Sequence, residues 1–159
     1  MKQLAMPCLI LAAATLLGAC GLTPPGNPGK TRPVTILSHV DGSDTGFSDA
    51  GVQLINSADE LQARGSGMLN AVAVDFRDQS MIVLALGEQP TTGWAARITG
   101  VQRAGNAIYV QGTAYSPGEN DVVGQSLTYP VAAVIVPKLR AEMIHPEISD
   151  AEAAPGDGM

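Results

Sequence analysis

Two histidines are the side chains best suited to acid–base chemistry in this sequence. His39 and His145 are the only histidines in the chain, and nucleophilic catalysis needs a base within reach of its nucleophile. One lies in a predicted strand and the other in an acidic C-terminal stretch, so the pattern does not bring them together. The sequence also has no Gly-x-Ser-x-Gly elbow, no His-Glu-x-x-His pair and no phosphate-binding glycine loop. We therefore expect a protein that is not an enzyme.

Carboxylates in predicted loops are the remaining candidates for catalysis or metal binding. Asp41, Asp44, Asp75 and Asp78 are closely spaced in pairs, a pattern more typical of solvated turns than of catalytic pairs. A calcium loop that starts at Asp41 requires a bidentate Glu at its twelfth position, where Val52 stands. We expect neither a metal nor another cofactor.

Cys20 follows a segment that predicts export. Lys2 precedes an apolar run of roughly 14 residues, which is shorter than the roughly 20 needed to span a bilayer. The small residues Gly18 and Ala19 before Cys20 resemble the lipobox of bacterial lipoproteins. This resemblance implies that residues 1–19 are a signal peptide and that Cys20 is lipidated, which anchors the chain to a membrane. The alternative is a soluble secreted protein that is cleaved near a cysteine.

The cysteine count supports lipidation. Cys8 leaves with the signal peptide, so Cys20 is the one cysteine of the mature sequence and no disulfide is possible. In lipoproteins of bacteria with two membranes, Gly21 instead of Asp after the cysteine implies sorting to the outer membrane. The expected location is therefore the bacterial cell envelope.

Composition divides the remaining chain into three parts. We predict a Pro- and Gly-rich tether over residues 20–33, a domain over residues 34–138 and an acidic disordered tail over residues 139–159. The formal net charge of -6 leaves no excess of basic residues, so nucleic acid is not an expected partner.

The whole chain contains 18 Gly and 11 Pro, which is typical of a turn-rich fold. The hydrophobic periodicity of the domain is mostly that of strands. We predict an α+β fold that is predominantly antiparallel β, arranged as a sandwich or curved sheet, with one short helix. The predicted strands are 34–40, 51–55, 81–86, 94–103, 108–115 and 127–136. Ser57 and Glu60 form a capping box at the start of the helix, and Gly100 indicates a β-bulge. Pro130 lies within the last predicted strand, which indicates a sheet edge or a bulge.

A rigid turn joins two of these strands. Pro90 fixes its own φ and Gly93 accepts positive φ at no steric cost, so Pro90, Thr91, Thr92, Gly93 and Trp94 form a preformed turn. Because a rigid turn loses little entropy on binding, and Trp is enriched at interface anchors, this turn is a candidate protein-binding site. The alternative is that the threonines close the turn and Trp94 packs in the core. Tyr129 and Pro130 offer the same choice between contact and structure.

Three segments together resemble a known family. They are residues 87–94 (GEQPTTGW), 125–131 (QSLTYPV) and 136–138 (VPK). Their order and spacing resemble the C-terminal domain of the PrcB family, bacterial lipoproteins named for stabilising an extracytoplasmic protease complex. Trp94 stands where tyrosine is more usual in that family. The resemblance implies a non-enzymatic, β-rich domain that binds an envelope or periplasmic protein, for which a protease is one expected partner.

The Pro-Thr-Thr-Gly sequence of the turn also resembles the first inhibitory loop of chagasin-type inhibitors of papain-like cysteine proteases. Gly118, Glu119 and Asn120 match the second, glycine-rich loop only loosely. The third loop is missing, since Arg32 and Pro33 are followed by Val34 and precede the turn. Cysteine-protease inhibition through residues 90–94 is thus the alternative function.

Overall fold

The computed structural model describes residues 30–64 and 67–152. Strands and one α-helix account for most of these residues, and a 3₁₀ helix covers Met68–Ala71. The elements are β1 (Arg32–Pro33), β2 (Ser38–Ser43), β3 (Gly51–Ile55), α1 (Ala58–Gln62), β4 (Gln79–Ala85), β5 (Ala95–Ala104), β6 (Ala107–Ser116), β7 (Pro130–Pro137) and β8 (Met143–Glu152).

The strands form two four-stranded sheets. Sheet A has the order β1-β5-β6-β8 and sheet B the order β2-β7-β4-β3. Every strand pair is antiparallel except β6 with β8, which is parallel. The prediction of a predominantly antiparallel β fold with one short α-helix is confirmed.

The continuous apolar runs in β4 and β7 arise because both faces of sheet B are covered. Ile82 and Leu84 of β4 share one buried cluster with Ile98 and Val110 of sheet A; we call this the inter-sheet cluster. The alternate residues of β4 pack on the opposite face, where Phe47, Leu61 and Leu69 complete a second buried cluster. A strand buried on both faces needs apolar side chains at every position, as the sequence of β4 indicates.

Sheet A is built around the β5–β6 hairpin. Gly105 occupies the turn with a φ of 58°, a value that glycine adopts without steric cost. The register shifts between Ile98 and Gly100, which confirms the predicted bulge at Gly100.

Local capping explains where the helix starts. The Ser57 hydroxyl accepts a hydrogen bond from the Glu60 backbone N–H at 3.1 Å, as a capping box requires. The reciprocal bond differs by one residue, because Glu60 Oε2 accepts from the N–H of Asn56 at 3.0 Å. The helix spans five residues, about one and a half turns.

Asp44 is a structural residue of the loop after β2. Its side chain is 2% exposed. Oδ1 accepts from the Gly46 N–H at 2.9 Å and Oδ2 accepts from the Leu69 N–H at 2.7 Å. A Cβ at Gly67 would overlap this carboxylate, so glycine is needed for the close approach. Asp44 therefore ties the loop after β2 to the 3₁₀ helix.

The bounds of the domain differ from the prediction at both ends. Arg32–Pro33 pairs with β5, and the strand predicted at 34–40 forms instead at Ser38–Ser43. Disorder across residues 139–159 is wrong for Met143–Glu152, which is strand β8. The physical reason is that Ile144 and Ile148 pack against the inter-sheet cluster, while the acidic residues of β8 remain exposed.

The predicted edge position of Pro130 is also wrong. Strand β7 lies inside sheet B, between β2 and β4. Pro130 is tolerated because it is the first residue of the strand, where a missing N–H removes no ladder hydrogen bond. Its carbonyl still accepts from the Leu86 N–H at 3.0 Å.

Several sequence predictions fall on residues outside the described ranges. They are the signal peptide 1–19, the lipidated Cys20, most of the tether and the end of the tail, residues 153–159. Within residues 30–64 and 67–152, no helix is long and apolar enough to cross a membrane.

Candidate functional site

An isolated β-bridge brings the two predicted contact segments together. Gln89 donates its N–H to the Thr128 carbonyl at 2.8 Å, and Thr128 donates to the Gln89 carbonyl at 3.0 Å. Residues 90–94, which we call the Trp94 turn, directly follow this bridge on one strand, and Tyr129 follows it on the other. Residues that are about 40 positions apart in sequence thus form one site.

The threonines hold the Trp94 turn in place. Thr92 donates its N–H to the Gly124 carbonyl at 3.0 Å, and its hydroxyl accepts from the Gly124 N–H at 2.7 Å. The Thr91 carbonyl accepts from the Thr128 hydroxyl at 2.9 Å. These bonds attach the turn to residues 117–124 and to the bridge, so the threonines do close the turn.

Gly93 supplies the backbone geometry that the turn needs. Its φ is 91°, and a Cβ there would lie 3.1 Å from atoms of both Pro117 and Val123. Larger residues would therefore be strained as well as crowded. Pro90 is exposed, so the turn combines a rigid backbone with an accessible surface.

Trp94 is half-buried and belongs to neither buried apolar cluster. It lines a cleft of about 330 Å³ together with Asp41 and Ser43 from β2, the start of β5, and Thr128 and Pro130. Trp94 therefore faces an accessible cleft at the border of the two sheets instead of the core. We call this feature the Trp94 cleft.

The Tyr129 side chain forms a hydrogen bond with Glu88. Its hydroxyl donates to Glu88 Oε2 at 2.8 Å. This hydrogen bond, followed by desolvation and the negative charge of Glu88, raises the pKa of Tyr129 above its ordinary value. The phenol stays protonated at neutral pH, so it acts as a donor. Tyr129 also donates its N–H to the Ser43 hydroxyl at 3.0 Å, which attaches β2 to the site.

Pro130, also predicted as a contact residue, is buried. It lines the Trp94 cleft, so its role in the structure is to shape the cleft wall.

Acidic residues in or near the Trp94 turn and cleft were not predicted as part of this site. Asp41 lines the cleft, Glu88 accepts from Tyr129, and Asp121 accepts from the Gly118 N–H at 2.8 Å. Glu119 is exposed on the same loop, and Glu152 lies beside Gly118. These acids come from separate segments of the chain, and only the topology gathers them. Asp41 was considered as a calcium ligand and as a catalytic carboxylate but not as part of a binding site, although its position after a predicted strand was a usable signal.

The two histidines are far from forming a shared site. His39 lies on β2, an edge of sheet B, whereas His145 lies on β8, an edge of sheet A. The His145 ring stacks on Tyr109, with ring centroids 4.8 Å apart. Within the described part of the chain, no group of three His, Cys, Asp or Glu side chains is placed to hold a metal ion.

The opposite end of β5 is basic. Lys30, Arg32 and Arg103 line a depression beside the Gly105 turn. The strand rises about 3.3 Å per residue, so the eight steps from Ala95 to Arg103 place this depression roughly 26 Å along the strand from the Trp94 turn.

Comparison with known proteins shows a similarity in the central part of the chain. A family model described as PrcB C-terminal matches residues 80–137. The matched segment runs from β4 to β7 and includes the Trp94 turn, Tyr129 and Pro130. Comparisons with curated proteins and with solved structures gave no match. Residues 80–137, which supply the Trp94 turn and the central strands of both sheets, are therefore similar to the PrcB C-terminal family.

Proposed function

We propose that this chain is a lipid-anchored envelope protein whose PrcB C-terminal domain binds another protein at the Trp94 cleft. The observation that carries this proposal is a half-exposed Trp94 on a rigid turn, facing a cleft within the family-matched segment. The domain acts by binding, without catalysis and without a cofactor. The bound protein is an envelope or periplasmic protein, and the family association favours a protease complex.

The energetics of the turn support a binding role. Aromatic residues make up 4% of the chain and Trp94 is the only Trp. Placing it at a cleft instead of in a core leaves apolar surface exposed to water. Burial of this surface by a partner would stabilise the complex. Because hydrogen bonds at Thr92 and the Gln89–Thr128 bridge already fix the turn, little entropy is lost on association.

The arrangement of the sheets supports presentation away from a membrane. The inter-sheet cluster draws side chains from both sheets, which favours a sandwich. Lys30, the first described residue, lies beside Gly105, and the Trp94 turn lies at the other end of β5. A lipid on Cys20 would therefore join the described domain at its basic end, opposite the Trp94 turn.

Inhibition of a papain-like cysteine protease is the second candidate. The contact between the Trp94 turn and residues 117–124 favours it, because a wedge inhibitor needs adjacent loops. Arg32–Pro33, however, pairs with Gln102 and Arg103, at the far end of β5. A three-loop wedge on this pattern would lack its third element at the cleft, so partner binding ranks first.

Trp94→Ala is the variant that tests this function. The full-length protein is expressed in its native host, cross-linked in cells, solubilised and purified with its bound proteins for mass spectrometry. Removing a central Trp anchor typically costs 2 kcal/mol or more, so recovery of the partner should fall by about thirty-fold. Trp94→Phe should restore most of it.

Leu37→Ala is the matched control, because Leu37 is an exposed apolar side chain (51% exposed) away from the cleft. It should leave partner recovery unchanged. Equal recovery with wild-type protein and Trp94→Ala, with both folded, would refute the proposed site. Recovery of a papain-like protease that the domain inhibits would support the second candidate instead.

A further inference from the structure

One edge of sheet A is open beside the Trp94 cleft. Strand β1 pairs with β5 only at Gln102 and Arg103, and Val34 adds one bond to the Val101 carbonyl at 2.8 Å. The chain then crosses to sheet B, where the Leu37 N–H bonds to the Ile135 carbonyl. Among the described residues, no strand pairs with this side of β5 between Ala95 and Gly100.

The backbone groups on this edge point outward. The Arg97 carbonyl faces β6, since a Cβ at Gly112 would lie 2.8 Å from it. Neighbouring residues of an antiparallel strand direct their N–H and C=O groups to opposite sides. Ala96 and Ile98 therefore direct theirs away from β6, toward the open edge. Unpaired groups of this kind are a template for an added strand.

Strand β2 has a polar face beside this edge. Asp41 and His39 lie opposite Ala132 and Val134 in the register of sheet B, and these two partners belong to the inter-sheet cluster. Asp41 and His39 therefore share the face of sheet B that packs on sheet A, yet both are exposed. Polar, exposed side chains at such positions indicate that this face lies in contact with solvent where β1 has left sheet A.

We propose that the open edge of β5 binds an extended segment of the partner protein by strand addition, and that this segment carries Lys or Arg next to Asp41. This inference rests on the proposed function and specifies the chemistry of the partner. Main-chain hydrogen bonds to Ala96 and Ile98 supply the pairing, and the Trp94 cleft receives a side chain of the added strand.

Charge complementarity selects a basic segment. Asp41 forms no salt bridge within the described ranges, where the bridge present is between Arg77 and Asp75. Glu88 precedes the Trp94 turn, and Glu119 and Asp121 lie on the loop that the turn contacts; all three are exposed. An acidic segment, or the same edge of a second copy with its own Asp41, would meet like charge here, and like charges across an interface are unfavourable.

The test uses two synthetic seven-residue peptides built mainly of Val and Thr. They differ only at the positions that would face the protein, where one peptide carries Lys and the other carries Glu. Amide hydrogen exchange of the full mature chain is measured with each peptide in excess. The Lys peptide should slow exchange at Ala96 and Ile98 by about tenfold or more, because these amides become paired. Exchange at Ala95 and Arg97, which bond to β6, should not change and serves as the internal control.

Two variants probe backbone and charge separately. Ala96→Pro removes the outward N–H and should abolish protection at Ile98; its folding is checked by thermal unfolding. Asp41→Lys leaves the backbone intact. It should lower the affinity for the Lys peptide by about tenfold and raise the affinity for the Glu peptide. Added salt should reduce the difference between the peptides.

Equal binding of the two peptides, or binding without protection at Ala96 and Ile98, would overturn strand addition by a basic segment. Protection at these amides without peptide that grows with protein concentration would assign the edge to a second copy and also overturn it. Trp94-dependent partner recovery is independent of both results, so failure here is distinguishable from failure of the proposed function.

Discussion

A Cys20→Ala variant is expected to leave the membrane fraction completely. The N-terminal apolar run is roughly 14 residues, too short for a stable span, so attachment depends on the lipid. Lipidation contributes about 0.8 kcal/mol per buried CH₂, and more than one chain on a residue gives stable anchoring. Wild-type protein should incorporate labelled palmitate and resist an alkaline carbonate wash, whereas the variant should do neither.

Cys8→Ala is the matched control for this experiment. Cys8 lies within the predicted signal peptide, so its loss should change neither labelling nor fractionation. The N-terminal mass of each variant shows whether the signal was removed. A Cys20→Ala chain that has lost its signal peptide and still remains in the membrane would refute lipid anchoring.

An Asp44→Ala variant is expected to lose about 3 kcal/mol of unfolding free energy, because one buried and one partly buried N–H group lose a charged acceptor. These groups belong to Gly46 and Leu69. The Asp44 N–H also bonds to the Tyr129 carbonyl at 2.9 Å, so the loop after β2 and the binding site should loosen together. Asp44→Asn keeps one acceptor and should lose roughly half as much.

Urea unfolding of the purified protein measures this effect. Asp49→Ala is the matched control, because Asp49 lies in the same loop region and is exposed. It should change stability by less than about 0.5 kcal/mol. If Asp44→Ala and Asp49→Ala unfold at the same urea concentration, Asp44 does not hold the loop.

Local patterns were enough to predict the elements that build the core. Strand β3 falls at the predicted residues, and β4 differs from its prediction only at its ends. The bulge at Gly100 and the turn at Gly105 follow from residue types that act within a few positions. Such features depend on neighbours in sequence, so the local sequence is enough to predict them.

Strand β8 shows where local information ends. Its acidic residues and Pro146 are typical of a disordered tail, and Ile144 and Ile148 are too few to indicate a strand alone. Their burial depends on parallel pairing with β6, which starts about 35 residues earlier in the chain. A prediction from composition counts every side chain of the segment equally. The strand, however, is held in the fold by Ile144 and Ile148, which face the core.

The candidate site was predicted only in part, because some of its residues are brought together by long-range pairing. The rigid turn, with Pro90 and Gly93, follows from backbone preferences, so its existence was predictable. Asp41 and Ser43 join it only because β2 pairs with β7. The position of Trp94 beside residues of both sheets likewise depends on the topology, which no local pattern indicates.

The most direct test of the central claim is site-specific photo-cross-linking in living cells. A photoreactive amino acid is placed at Ala95, which is exposed beside Trp94, or at Arg103, which is exposed at the other end of the same strand. We predict a covalent adduct with an envelope protein from position 95 and none from position 103. An adduct from position 103 alone, or equal adducts from both positions, would contradict partner binding at the Trp94 cleft.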